Sequence, residues 1–198
     1  MSFSATAFKS SLSKAGGGAR PALYKIDIMS SNFIVPSLTG TESILVKAAA
    51  LPASNIAPLT VNYSGRAYKW QGFRTYDIWN VTVINDESFS IRNKIMQWMR
   101  TISGGMDGRR NSGLGDSSNN DDTGGYRDGE AKVSQVGAGG TAVQSYKLYN
   151  LWPTELGEIA LDWSSDIMEE YTIGFAYDYW SSGTNDTVKD KVTPNPHP

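Results

Sequence analysis

The sequence predicts a mainly β protein, an antiparallel β-sandwich or partly rolled barrel with one amphipathic α-helix at about 87–103. Three observations predict it. Strand-like alternation recurs along the chain, helical periodicity holds in a single stretch, and Gly-, Asn- and Ser-rich turns separate the runs. A lone helix with one apolar stripe needs a sheet to cover. The 198 residues fit one β domain, 21–180, between a flexible N-terminal arm (1–20) and a polar C-terminal tail (181–198).

In chain order, residues 1–20 are Ser-, Ala- and Gly-rich and end in AGGGAR, the composition of an arm that orders only against a neighbour. Pro21 precedes a strand from Leu23 to Met29, with Tyr24, Ile26 and Ile28 on one face. Ser30 to Gly40 is a loop, and Ile44 to Leu51 a second strand stopped by Pro52. LPASNIAPL (51–59) has two readings, a loop tucked over its own sheet or a docking loop for a second subunit. Leu59–Tyr63 and Arg66–Trp70 flank Ser64-Gly65, a tight-hairpin signal.

The organising stretch follows, RTYDIWNVTVINDESFSIRNKIMQWMRT (74–101). Trp79, Val81 and Val83 share a face with Asp77, opposite Tyr76, Ile78, Asn80, Thr82 and Ile84. The period then changes: Ile91, Ile95, Trp98, Met99 and Ile102 recur at helical spacing and form the expected helix core. Asp86 or Ser88 can accept from the free N–H groups of the first turn, Glu87 faces the positive end of the dipole, and Gly104 can end the helix.

Residues 103–130 are Gly-, Asn- and Asp-rich without apolar periodicity, and read as a long exposed loop. Strands are expected at Lys132–Val136 and at Val143–Leu151, the latter stopped by Trp152-Pro153. In Glu158–Trp163 and Glu170–Tyr179 bulky residues alternate with small or acidic ones, and Ser164-Ser165-Asp166 would pair the two runs. Glu158, Asp162, Glu170 and Asp178 then form an acidic strand face.

The chemical inventory is poor. A net charge of −2 argues against a general nucleic-acid binder. Absent cysteine removes disulfides, thiolate catalysis and sulfur-ligated metals, and the single His197 lies in the Pro-rich tail, so the usual nucleophile–base pairs cannot be assembled. From Asn119, residues Asn119, Asp121, Thr123, Gly124 and Glu130 fall at calcium-loop positions, but Arg127 occupies a ligand position and no helices flank it. The Glu158/Asp162 and Glu170/Asp178 pairs read as a solvated face rather than as glycosidase carboxylates. No enzyme activity, metal or cofactor is expected. With no signal-peptide pattern and no apolar run of membrane-spanning length, a soluble protein without membrane contact is expected.

Two long blocks carry a resemblance. RTYDIWNVTVINDESFSIRNKIMQWM, preceded by LPASNI and Tyr63-Ser64-Gly65-Arg66, resembles the tail tube proteins of contractile-tailed bacteriophages. YKLYNLWPTELGEIALDW followed by EEYTIGFAYDYW is similar to the C-terminal half of that family, so the likeness runs from about Leu23 to Trp180. The 103–130 loop is longer than the family's usual connection.

The resemblance implies a homohexameric ring in which strands of all subunits close one inner barrel. Rings stack into a tube inside a contractile sheath, and double-stranded DNA passes through the bore without specific binding. Implied partners are the tail sheath, baseplate and tail terminator proteins, and the implied location is the virion tail, assembled in the host cytoplasm. Leu51, Pro52, Ala53, Ser54, Asn55 and Ile56 match the region that reaches towards an adjacent ring. The acidic face of Glu158, Asp162, Glu170 and Asp178 would line the bore or meet the sheath. Two alternatives are a tube of a contractile injection or type VI-like secretion system, and a monomeric carbohydrate-binding β-sandwich, for which abundant Trp and Tyr also suit.

Overall fold

The computed structural model describes residues 4–14, 17–30, 37–103, 129–137, 139–164 and 166–183. The 104–128 part of the long loop, the calcium-like pattern up to that point, His197 and the tail beyond 183 lie outside them. The elements are α1 (Ala5–Lys14), β1 (Tyr24–Ser30), α2 (Thr41–Ile44), β2 (Val46–Ala49), β3 (Asn55–Tyr63), β4 (Arg66–Thr75), β5 (Trp79–Ile84), α3 (Ser90–Ser103), β6 (Gly129–Val136), β7 (Ala142–Leu156), β8 (Glu170–Ala176) and β9 (Tyr179–Ser182). The mainly β, antiparallel reading with one packed helix holds, as an open rolled sheet rather than a closed barrel.

Seven strands form a bent sheet in the order β1-β6-β7-β8-β5-β2, with β9 on β7. The bend is made by β7. Its first part pairs with β6 and with β9, as in Tyr146↔Val133 and Tyr149↔Tyr179. Its last part pairs with β8, as in Pro153↔Phe175. Asn150, at φ 57°, turns the corner; asparagine tolerates that left-handed conformation better than most residues. The opposite side bends at the same place, where Asp178 separates β8 from β9, its N–H bonded to the Tyr149 carbonyl at 3.1 Å. The Asn150 amide donates to the Asp178 carboxylate at 2.7 Å.

That corner corrects two sequence expectations. Trp152-Pro153 does not stop β7: the strand changes partner there, from β6 at Leu151 to β8 at Trp152, and Pro153 stands at the register shift that follows, the kind of irregular position that tolerates proline. The run from Glu170 to Tyr179 is two strands rather than one. A third expectation fails for lack of a partner. Glu158–Trp163 alternates like a strand but joins no ladder, since β8 is already bordered by β5 and β7. The arm also differs: residues 5–14 are helical, with Phe8 and Leu12 one turn apart, and none of α1 is buried.

The helix α3 lays its stripe on this sheet. Ile91, Ile95 and Trp98 are buried, and Met99 and Ile102 pack on the core from its margin. Trp98 is 0% exposed, with its ring 6.3 Å from that of Phe175, which in turn lies 5.9 Å from Trp79. Gly129 makes the seat: a Cβ there would stand 2.9 Å from the Trp98 ring and 2.4 Å from the Leu151 carbonyl oxygen. The β5 residues Trp79, Val81 and Val83 and the β8 residues Tyr171, Ile173 and Phe175 supply the opposing buried face.

The helix start is built against strain. Phe89 sits at φ 52°, costly for a bulky residue, and is held by its N–H bond to the Asp86 carbonyl at 2.9 Å. The Asp86 carboxylate accepts from the Ser90 N–H at 3.0 Å and from the Ser88 hydroxyl. The Ser88 bond, with help from Ser90, holds the Asp86 carboxyl below the ordinary aspartate range. At the far side Lys94 pairs with Glu42 at 2.5 Å, and Arg92 lies over the Tyr171 ring at 5.1 Å while donating to the Gly157 carbonyl at 2.9 Å.

Two predictions follow from this core and cap. Trp98→Ala should lower stability in denaturant by about 3–5 kcal/mol through the cavity it leaves; an unchanged midpoint would remove α3 from the core. Asp86→Ala should cost about 1 kcal/mol at pH 7. Because the folded pKa lies below the unfolded one, this contribution is complete above the ordinary value of 3.8 and vanishes as pH falls through the folded value. Denaturation of both proteins at pH 7 and at acid pH checks that the difference narrows.

Candidate assembly surfaces

One uncovered surface is the ribbon formed by β3 and β4. Its Ser64-Gly65 turn has φ of 50° and 77°, the two positive values that fit a tight hairpin to twisted strands. The strands extend about 30 Å at ~3.4 Å per residue. Register sorts the side chains. Leu59 faces Trp70, Val61 faces Tyr68 and Tyr63 faces Arg66, so these six share one side. Thr60, Asn62, Ala67 and Lys69 take the other. All are exposed, so the ribbon has an apolar, aromatic face that its own domain does not cover. Near the root the ladder shifts between Ile56 and Pro58, and Gly72 stands so close that a Cβ would lie 2.3 Å from the Ala57 carbonyl oxygen. Phe73 beside it is 92% exposed.

The root itself is fixed. The Ala50 carbonyl accepts from the Trp79 indole at 2.7 Å, and the Ala53 carbonyl accepts from both the Tyr177 hydroxyl and the Trp180 indole at 3.3 Å. Pro52 is buried, while Leu51, Ala53 and Ser54 remain exposed. Asn55 and Ile56 are already strand. The LPASNI segment is thus tied to the domain in its first half, as a loop over its own sheet would be, and its second half begins the projecting ribbon.

The second surface is the connection from β7 to β8. Its ends are pinned. The Gly157 N–H bonds to the Thr172 carbonyl at 2.7 Å, and the Asn85 N–H bonds to the Glu169 carbonyl at 2.8 Å. Between them Leu161, Trp163, Ile167 and Met168 point into solvent, with Trp163 100% exposed. Asp162 accepts from the Ser164 N–H at 2.9 Å and hydroxyl at 2.7 Å, and these bonds lower its pKa.

The structure does not bring the four predicted carboxylates onto one strand face. Glu158 and Asp162 lie in the connection, where no ladder exists to define a face. Glu170 opens β8 and pairs with Lys47 at 2.5 Å, and Asp178 sits at the corner held by Asn150. The outward face of β5 and β8 is polar in its middle, at Asn80, Thr82 and Thr172, with the two threonine hydroxyls 3.5 Å apart, and ends at the half-buried Ile84. Sequence reasoning missed the exposure of Trp70, Phe73 and Trp163. The signal available was a hairpin amphipathic on both strands, followed later by an alternating run with no obvious partner. Among the described residues no group of three or more His, Asp or Glu is placed to hold a metal ion.

Residues 20–183 match the model of the family described as phage tail tube protein. The chain is 30% identical over 174 residues to the tail tube protein gp19 of Enterobacteria phage T4, covering 84% of this chain and 93% of that protein. In fold it is similar to a chain of the anti-feeding prophage baseplate, at 8% identity and TM-score 0.59, covering 83% of this chain and 95% of the other. It is also similar to a chain of the sheath–tube complex of an extracellular contractile injection system, at 13% identity and TM-score 0.53, covering 92% and 99%. The resemblance read from the two sequence blocks is thus confirmed across the whole β domain. The chain belongs to the phage tail tube protein family and is a structural component of a contractile phage tail.

Proposed function

We propose that this chain self-assembles into stacked hexameric rings that form the inner tube of the tail, the conduit for DNA ejection inside the sheath. One observation carries the proposal. The domain closes its core around Trp98 yet leaves a whole amphipathic ribbon and the Trp163 segment uncovered, and such surfaces belong to an assembly. Ring stacking is assigned to Leu51–Ile56 with the ribbon that they root. The neighbouring structures are a baseplate and a sheath–tube complex, which supports sheath and baseplate proteins as partners. The role is mechanical, with no catalysis and no cofactor. Those structures share fold alone with this chain, whereas its sequence identity is to a phage protein, which favours a virion tube over a secretion tube.

For the bore we favour the outward face of β5 and β8. Asn80, Thr82 and Thr172 are short and uncharged, and Glu170 at its end is neutralised by Lys47. With Lys47 engaged by Glu170, such a surface gives phosphate no unpaired cation to hold, so DNA can slide. Asp178, at the corner, is left for the sheath side. Glu158 and Asp162 belong to the connection.

Negative-stain electron microscopy of the purified chain across a concentration series is expected to show rings or hollow tubes. A monomer at every concentration, even with baseplate and sheath proteins added, would overturn the tube reading and favour a carbohydrate-binding sandwich that uses its exposed aromatics. Thr82→Lys with Thr172→Lys should leave tubes intact but slow DNA ejection severalfold. Unchanged ejection from intact mutant particles would place the bore elsewhere.

A further inference from the structure

Two tyrosine pairs bring their rings together among the described residues, and they differ in geometry. Tyr76 and Tyr177 meet at 5.6 Å between ring centroids with planes 49° apart, and Tyr177 is buried. Tyr149 of β7 and Tyr179 of β9 stand 4.7 Å apart with planes only 18° apart, a stacked pair. Their backbones are direct partners in the β7–β9 ladder, so register itself sets the stack. The Tyr149 hydroxyl lies 3.2 Å from that of Ser181. The Lys147 ammonium, tied to Glu130 at 3.0 Å, lies 5.0 Å from the Tyr149 ring centre. Tyr179 is 45% exposed, so a solute can reach the pair from solvent. The chain has no cysteine thiol to compete for an oxidant.

We propose that Tyr149 and Tyr179 form an oxidative modification site, joined ring to ring as dityrosine by a one-electron oxidant. Two equivalents of oxidant take one electron from each phenol, and each phenol releases its O–H proton to water. The two phenoxyl radicals carry spin on the ring carbons ortho to oxygen and combine there, forming one C–C bond. Each coupled carbon then loses its hydrogen as a proton while its oxygen regains one, which restores both aromatic rings. The sum is two tyrosines giving one dityrosine, two protons and two reduced equivalents of oxidant. Stacking supplies the proximity, because each ring already stands in contact with its partner, so coupling within the chain outruns encounters between chains. The Tyr76–Tyr177 pair is tilted and partly sealed from solvent, and is not expected to couple. The bond has a structural consequence. β9 is a four-residue strand that pairs with β7 alone, and a link from Tyr149 to Tyr179 fastens it covalently. It also closes the intervening chain into a loop, which restricts the unfolded state as a disulfide does. The site belongs to the single domain and holds whether or not rings form.

The experiment uses the purified full chain at a concentration where sedimentation shows monomer. It is photolysed with tris(bipyridine)ruthenium(II) and persulfate, which generate ruthenium(III) as the one-electron oxidant. Dityrosine fluorescence is read on the band that keeps monomer mass in denaturing electrophoresis, and linked peptides are mapped by mass spectrometry. The main linked product should join the peptides that carry Tyr149 and Tyr179, lighter by two hydrogens than their sum. Tyr149→Phe and Tyr179→Phe keep both rings, and each should lower the monomer-band fluorescence at least about tenfold. Tyr76→Phe should leave it unchanged. Dityrosine confined to dimers and larger species overturns the proposal, as does no linked product or a main product at another pair. Undiminished fluorescence in Tyr149→Phe overturns it equally. If a variant loses its circular dichroism spectrum, the peptide map of the wild-type chain decides by itself.

Discussion

The burial of Trp98 at the inside of the β7 corner is the contact on which the rest of the structure depends. A bent sheet encloses a wedge, and a bulky ring has to fill it at interior density. Trp98 does so only because Gly129 has no side chain and because Phe175 and Trp79 continue the aromatic packing across the sheet. Its position is in turn set by the helix start. Asp86 holds Phe89 in a strained conformation, which fixes where the first turn of α3 begins and therefore where the third turn delivers Trp98. The Asn150–Asp178 bond keeps both strands bent at the same level, so the wedge keeps its shape.

From that wedge outward the chain divides its apolar residues between two tasks. Those on β5, β8 and the α3 stripe make one closed core, and a comparable set on the ribbon and the connection stays in water. A monomeric protein with so much uncovered surface would associate without order. The bent sheet leaves β1, β2 and β9 as its edges, and β2 and β9 have only four residues each, which limits pairing of one open edge with another.

What the sequence made legible was whatever a single period decides. Alternation at 79–83 and the 91, 95, 98 spacing each point one set of side chains towards a neighbour, and both sets are buried. The hairpin was legible from Ser64-Gly65 because a two-residue turn fixes register locally. The corner was not. Asn150 and Pro153 look like ordinary strand breakers, and only the exchange of β6 and β9 for β8 as neighbours shows that the strand continues. The 158–163 run defeated reading for a related reason: a period of two states that one side differs from the other and says nothing about whether a partner strand exists. Placing Glu158, Asp162, Glu170 and Asp178 on one face rested on that missing partner.

The same limit explains why the uncovered surfaces look like core in the sequence. Leu59, Tyr68, Trp70, Leu161 and Trp163 alternate as buried strand residues do, although their own domain leaves all five exposed. A two-stranded ribbon of this length is marginal by itself in water. Its root is not, since three aromatic donors hold Ala50 and Ala53 to β5 and to the corner. The root also links the ribbon to the core, because Trp79, Tyr177 and Trp180 pack on the same cluster that surrounds Trp98. A change in how the wedge is filled therefore reaches the ribbon through its root, so the angle at which the ribbon projects is set in the interior of the domain.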